Sequence, residues 1–249
     1  MQYFGTIETK YEEIFLTESY MYFNHDEEDV ITAKELKDKI KTGKLRKKNI
    51  IGTVILYNPI AIPMGFDSKK FLLDQDFEDF DKMIELKVEN YLTIFKQAMR
   101  DTCKGKIVEI KSLFNLVEKN IDSSKLLIKF NEDLEKYNSK QNTEFDRDIM
   151  YIDAQNYIPN GKFVFFSWGD KISQKEFPYI NDYAKLIYDN TIKLGKKIVY
   201  IYKEEKSEQG CIEYLQFSHV DQNNKYKNSI SNSVKEAFKE FPPKIMSYS

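Results

Sequence analysis

The chain has 249 residues, 41% of them hydrophobic, which is enough to bury the core of one large domain or two small ones. Its formal charge of −2 predicts no global attraction to nucleic acid, so any such binding requires a local basic patch. Two cysteines and two histidines without a metal-like spacing predict no metal site and no cofactor. No apolar run reaches transmembrane length and the start lacks a secretory signal, so we expect a monomeric, cytoplasmic protein without a membrane partner.

The first segment alternates aromatic and polar residues up to Asn24, which predicts two antiparallel strands or an edge hairpin. The sequence Thr32-Ala-Lys-Glu is typical of a capping box that opens a short helix. A basic run follows and ends with Arg46, Lys47 and Lys48. Such a run is usually a solvated face, and the functional alternative is a patch that contacts phosphates.

A nearly unbroken apolar run rich in β-branched residues extends from Ile50 to Tyr57. This pattern predicts a strand buried on both faces of a parallel sheet. The strand must end at Asn58-Pro59, because proline cannot donate to a sheet ladder. In open α/β sheets ligands bind outside the carboxyl ends of the strands, so Asn58 is the first candidate site residue.

Apolar residues from Phe80 to Met99 recur at helical spacing, which predicts a long helix over Phe77 to Thr102. A second strand is predicted from Lys106 to Phe114, and it ends on Asn115. Two further helices are predicted at about Ser123 to Tyr137 and Glu144 to Tyr157.

The third strand is predicted from Lys162 to Ser167 and leads directly into Trp168-Gly169. A helix from about Ser173 to Leu194 ends at Gly195, and a fourth strand runs from Lys196 to Tyr202. A short final strand reaches Ser218-His219, and a helix near residues 228–241 closes the chain.

These elements predict an α/β fold, with three layers (α/β/α), a central, mainly parallel four-stranded sheet and an N-terminal β-hairpin. We expect a single domain with an N-terminal hairpin and basic helix (1–48), a core (49–224) and a C-terminal helix (225–249). Each candidate residue has a plainer interpretation: Asn58 as a turn former, Asn115 as a helix cap, Trp168 as core and His219 as a structural histidine. Their convergence at strand ends is more specific than any one of them.

In this order the motifs resemble those of the uracil-DNA glycosylase-like superfamily. Asn58-Pro59 is similar to the water-activating motif of its mismatch-specific branch, and Asn115 to the asparagine that reads the extruded base. Trp168-Gly169 resembles the motif on the third strand, and Ser218-His219 resembles the late loop that carries the catalytic histidine. The resemblance covers roughly residues 50–224.

The resemblance implies a role for each residue. The Asn58 carbonyl orients a water below the sugar, and His219 donates to the departing base. Asn115 reads the Watson–Crick edge of the flipped base. The remaining candidates are the stacking residues Tyr57 and Phe66, the pocket wall Trp168, and the DNA-backbone contacts Ser218, Lys225, Lys227, Arg46, Lys47 and Lys48.

Two departures from the family pattern matter. Asn58 stands where the fast uracil-specific branch has an aspartate, which implies slower water activation or a different substrate. No proline and no apolar wedge follow His219, so the enzyme would favour bases that are already loosened, modified or single-stranded.

The leading hypothesis is therefore a DNA glycosylase that removes a damaged or modified base, such as a phage-modified cytosine, in repair or anti-phage defence. Two alternatives stay open at this point. One is a binding module that holds a nucleotide or modified base without chemistry, and the other is an N-glycoside hydrolase that acts on small molecules.

Overall fold

The computed structural model describes residues 1–10, 13–41, 50–57, 61–63, 83–88, 103–117, 123–138, 152–161, 163–168, 176–195 and 197–200. Within these ranges the chain forms eight strands and three helices. The strands are β1 (Gln2–Lys10), β2 (Glu13–Phe23), β3 (Ile50–Leu56), β4 (Ala61–Pro63), β5 (Met83–Val88), β6 (Lys106–Ser112), β7 (Phe163–Ser167) and β8 (Lys197–Tyr200). The helices are α1 (Ala33–Lys41), α2 (Ser123–Asn138) and α3 (Pro178–Lys193).

The strands form one mixed sheet in the order β4-β5-β1-β2-β6-β3-β7-β8. Strand β3 pairs in parallel with β6 on one side and with β7 on the other, and β7 pairs in parallel with β8. The other pairs are antiparallel. The predicted α/β class is confirmed, and the sheet is wider than the four strands that the sequence indicated.

Strand β3 lies inside this sheet, as its composition predicted. Thr53, Val54 and Ile55 are each fully buried, although successive side chains point to opposite faces. Both faces of the strand are therefore covered, which explains why apolar residues are not restricted to alternate positions.

Of the two alternatives for the N-terminal segment, the two antiparallel strands are confirmed, and the edge position is wrong. Strands β1 and β2 pair with each other, and β1 also pairs with β5 while β2 pairs with β6. The hairpin is thus an interior part of the sheet. Successive residues of β2, such as Tyr20, Met21 and Tyr22, are buried, so both faces of this strand are covered.

The predicted long helix from Phe77 to Thr102 is also wrong where the structure describes it. Residues Met83–Val88 form β5, which pairs antiparallel with β1 and β4. The local pattern Ile84-Glu-Leu-Lys-Val alternates with period two, and this alternation fits a strand as well as the wider stripe fits a helix. Pairing with β1, a partner distant in sequence, decides between the two.

The helices follow their local signals. At the start of α1, the Glu35 carboxylate accepts from the Thr32 backbone nitrogen at 2.7 Å, and the Thr32 hydroxyl accepts from the Glu35 nitrogen at 3.2 Å. This is the predicted capping box. The helix α3 starts with a proline at its N-terminus and is followed by Gly195, whose φ of +64° matches the predicted C-terminal stop.

Helix α2 agrees with the prediction, but residues 152–157 are not helical. The Asp153 carboxylate accepts from the backbone nitrogens of Gln155 at 3.2 Å and Asn156 at 3.4 Å. These bonds stabilise a turn that competes with a helix. The remainder of the predicted helix from Glu144 lies outside the described residues.

All three helices pack on the same face of the sheet. Side chains of α1 join Ile107 of β6 in one hydrophobic cluster, and α2 and α3 join Ile55 of β3 in another. Ile55 lies opposite Lys111, which is on the same face as Ile107. None of the helices within the described ranges is long and apolar enough to cross a membrane.

Candidate functional site

Three parallel strands end side by side at one edge of the sheet. Leu56 of β3 is in register with Ser112 of β6 and with Ser167 of β7. The residues that follow these strands therefore start at the same level. Tyr57 and Trp168 are the first residues after β3 and β7, and Asn115 is the third residue after β6. We call these three candidate residues the carboxyl edge.

The chain after β6 forms hydrogen bonds first with β3 and its next residue, and then with β2. The Leu113 nitrogen donates to the Leu56 carbonyl at 2.9 Å, and the Phe114 nitrogen donates to the Tyr57 carbonyl at 3.0 Å. The next residue, Asn115, accepts at its carbonyl from the Leu16 nitrogen of β2 at 3.0 Å. Asn115 thus occupies the point where the chain leaves β3 and joins β2, and it is 2% exposed.

Tyr57 is buried in the hydrophobic cluster beneath this edge. The residue is 3% exposed, and its hydroxyl has no hydrogen-bond partner within the described part of the chain. Burial raises the pKa of Tyr57 well above its usual value, so the phenol keeps its proton near neutral pH. The hydroxyl is therefore a hydrogen-bond donor whose free-energy cost of burial is not offset by a described partner.

Trp168 directly follows β7 at the carboxyl edge. The side chain is fully buried, and its ring lies 4.6 Å from the ring of Phe166 at 51°. On the other side Phe166 contacts Tyr188 of α3 at 5.6 Å between ring centroids. The tryptophan is thus part of an aromatic stack that connects the edge to the helical layer.

The structure places Tyr57 and Trp168 in one buried cluster with Phe114, and Asn115 is the next residue after Phe114. The remaining candidates lie outside the described residues: Asn58, Phe66, Ser218, His219, Lys225, Lys227, Arg46, Lys47 and Lys48.

A buried polar cluster at the centre of the sheet was not predicted from the sequence. We call it the central cluster, and it comprises Thr53, Glu109, Lys111 and Tyr157. The Thr53 hydroxyl lies 3.0 Å from the Glu109 Oε2 atom, and Lys111 Nζ lies 3.2 Å from Glu109 Oε1. The side chains of Lys111 and Glu109 are only 14% and 4% exposed. Burial lowers the pKa of Lys111, and the neighbouring Glu109 charge opposes that shift.

Tyr157, the fourth member of the central cluster, lies on a segment outside the strands of the sheet. Its hydroxyl is buried without a partner of hydrogen-bond geometry among the described residues. Burial raises the pKa of Tyr157, and the negative charge of Glu109 adds to the effect. A sequence signal for this cluster did exist. The predicted buried strand β6 carries Glu109 and Lys111 on the same face, and buried charges of opposite sign at that spacing are expected to pair.

No group of three or more metal-ligating side chains is found in the ranges that the structure describes. No protein-family model matches the chain, and no curated protein or solved structure matches it. A function for the chain therefore has to be argued from the residues of the carboxyl edge and the central cluster.

Proposed function

We propose that the protein is a DNA glycosylase, which cleaves the N-glycosidic bond of a flipped base and leaves an abasic site. The observation that supports this most is the level ending of three adjacent parallel strands, with Tyr57, Asn115 and Trp168 at their ends. That edge is where open α/β sheets bind ligands. The motif order that resembles the glycosylase superfamily falls on the same three strands.

A three-layer arrangement around the parallel strands is part of the proposal. On one face of β3 and β6 lie Ile55 and Ile107, which contact the described helices. On the other face Val54 and Val108 are fully buried as well. Burial on both faces supports a second covering layer and an α/β/α order.

The chemistry assigns most of the work to electrostatics and positioning. Breaking the glycosidic bond builds positive charge on the sugar and negative charge on the base. In the proposal the Asn58 carbonyl orients the attacking water, and His219 donates a hydrogen bond to the charged base. Asn115 offers a donor and an acceptor to the base edge, which suits recognition of an extruded base.

The surroundings of Asn115 suit this task. The apolar cluster that contains Tyr57, Phe114 and Trp168 keeps water from the edge. Hydrogen bonds are stronger at such low local dielectric, and a base that leaves them unmatched is rejected. The aromatic cluster therefore raises the selectivity that one asparagine amide can supply.

DNA binding is proposed to use local positive charge, because the net charge is −2. The candidates are the run Arg46-Lys47-Lys48 beside β3 and Lys225 and Lys227 after the catalytic histidine. A duplex or a single strand fits these contacts. The absence of an apolar wedge after His219 favours a base that is already weakly paired or modified.

The net negative charge also favours a second candidate function. An N-glycoside hydrolase that acts on free nucleosides or nucleotides would need no DNA contacts and no wedge. It would use the same Asn58, Asn115 and His219. Activity on nucleosides without activity on polymer selects this candidate over the first.

The test is base release from a panel of DNAs. Uracil DNA, mismatched DNA and phage DNAs that carry unmodified, hydroxymethylated or glucosylated cytosine are incubated with the folded protein, and abasic sites are counted. We expect release from at least one DNA, and loss of at least 100-fold in rate for Asn58→Ala and for His219→Ala.

The matched control is Asn156→Ala, because this asparagine is exposed and lies on another segment. It should release the base at the wild-type rate. Silence of the wild-type protein on every DNA, with circular dichroism showing a folded chain, contradicts the proposal. Ligand-dependent thermal stabilisation without any turnover would instead indicate a binding module.

A further inference from the structure

Residues 152–161 run across the face of the sheet that carries the central cluster. We call this segment the strap. Its inward side chains Ile152, Ala154 and Tyr157 are buried, while Asp153 and Ile158 are exposed. The strap thus has a buried side and a solvent side, although it is neither helix nor strand.

Uncharged hydrogen bonds hold the start of the strap, and its last residue fits closely against β3. At its start the Tyr183 hydroxyl of α3 donates to the Ile152 carbonyl at 2.8 Å, and the Asn190 amide donates to the Ala154 carbonyl. At its end Gly161 has a φ of +73°, and a Cβ there would lie 2.3 Å from the Gly52 nitrogen. Only glycine fits this close approach to β3.

The carboxyl-terminal end of the strap lies over buried charge. The Thr53 hydroxyl lies 3.0 Å from the Asn160 carbonyl of the strap and also 3.0 Å from Glu109 Oε2. A hydroxyl has a single proton to donate, so these two acceptors compete for it. The outcome depends on how much negative charge Glu109 presents.

The negative charge that Glu109 presents to Thr53 depends on Lys111. Its ammonium, 3.2 Å from Glu109 Oε1, neutralises the carboxylate, so that Thr53 can share its proton with the Asn160 carbonyl. Without the ammonium, the carboxylate would draw the Thr53 proton entirely to itself. The Asn160 carbonyl would then lose its donor, and Tyr157 would face an uncompensated charge.

We propose that the Glu109–Lys111 ion pair is a charge lock, which holds the strap over the sheet and releases it when Lys111 loses its charge. Release is local, because the start of the strap is held by bonds that do not involve the pair. It uncovers Thr53, Glu109 and Lys111, a polar site at the centre of an otherwise apolar face. The lock does not depend on the proposed glycosylase activity.

Amide hydrogen exchange of the full chain tests the lock. In Lys111→Met we expect amides of residues 157–161 to exchange at least 10-fold faster than in the wild type, because the unneutralised Glu109 carboxylate then keeps the Thr53 proton. Glu109→Gln removes the competing carboxylate, so exchange there should stay within threefold of the wild type. Amides of α2, a helix at some distance along the chain from both the pair and the strap, should change by less than twofold. The double variant Glu109→Gln/Lys111→Met removes both charges, and exchange in the strap should return to within threefold of the wild type.

The control is Lys106→Met, which removes an exposed lysine from the start of the same strand and should leave the strap unchanged. Equal acceleration of strap and α2 amides would overturn the lock, since the pair would then stabilise the whole fold. A double variant as fast as the faster single variant would overturn it too.

A second pair of variants keeps the test valid if the charge variants do not fold. Thr53→Val removes the hydroxyl with little change of shape and should accelerate exchange in the strap at least fivefold. Thr53→Ser keeps a hydroxyl and should stay within twofold of the wild type. Equal exchange in both variants would overturn the proposal.

Discussion

The carboxyl edge and the central cluster lie on the same sheet and are both buried, yet only the central cluster contains an ion pair among the described residues. Each region also holds one tyrosine hydroxyl without a described partner, Tyr57 at the edge and Tyr157 at the centre. In the central cluster Thr53, Glu109 and Lys111 satisfy one another within 3.2 Å. The centre is therefore organised by charge, whereas the edge consists of uncharged side chains.

The carboxyl edge and the central cluster also depend on different contributions to stability. The edge depends on packing, because Trp168 and Phe166 stack in a fully apolar cluster. The centre depends on charge balance, because a buried ion is costly unless its partner is present. Variants that remove volume should therefore damage the edge, and variants that remove charge should damage the centre.

The largest expected effect is at the edge. Trp168→Ala removes a fully buried side chain and its stacking on Phe166. We expect the free energy of unfolding to fall by about 3–5 kcal/mol, because a large cavity remains in the cluster. Urea denaturation followed by circular dichroism measures this change. A loss below about 1 kcal/mol would show that the edge does not depend on this packing.

Parts of this comparison could be predicted from the sequence, and the rest could not, for physical reasons. Strand β3 and the capping box at Thr32 and Glu35 follow from local patterns, because burial on both faces and helix starts leave a mark within a few residues. Strand β5 does not, because its segment fits helix and strand alike until β1 pairs with it. Non-local pairing overrides local preference there.

The site shows the same division. The positions of Asn115 and Trp168 at strand ends could be predicted, since the end of an apolar run is local. The partnership of Thr53 with Glu109 could not, because it depends on the register of β3 against β6. Tyr157 joins them only because residues 152–157 turn instead of continuing as a helix.

The second prediction concerns alkaline pH. Burial raises the pKa of Cys103 from 9.0 to about 12, and burial with Asp29 nearby raises the pKa of Tyr22 from 10.0 to about 12. Above pH 9 the unfolded chain therefore loses protons that the folded chain keeps, and stability falls as the pH rises. For Cys103 the loss is about 1.4 kcal/mol for each pH unit between 9 and 12.

Denaturation midpoints measured from pH 8 to pH 11 test this slope. In Cys103→Ala the part of the slope that begins near pH 9 should vanish, while the part above pH 10 remains because of the buried tyrosines. Identical slopes in the variant and the wild type would mean that Cys103 is not protected from titration. Neither Cys103 nor Tyr22 belongs to the carboxyl edge or the central cluster, so raising the pH should destabilise these two regions equally.

The smallest expected effects on stability come from replacing two buried tyrosines by phenylalanine. Tyr183→Phe removes a hydrogen bond to the strap carbonyl of Ile152 and should destabilise the protein by about 1 kcal/mol. Tyr57→Phe removes a buried hydroxyl without a described partner and should leave stability unchanged or raise it by up to about 1 kcal/mol. Differential scanning calorimetry of both variants compares them directly, and an equal loss in both would contradict the contrast.

The proposal that the carboxyl edge, and not the central cluster, carries base release is tested most directly by single-turnover kinetics on the most reactive DNA of the panel. Asn115→Ala at the edge is compared with Thr53→Val at the centre, with both variants at concentrations where they bind the DNA fully. We predict that Asn115→Ala slows release by at least 100-fold, while Thr53→Val stays within threefold of the wild type. Unchanged release by Asn115→Ala would contradict the account.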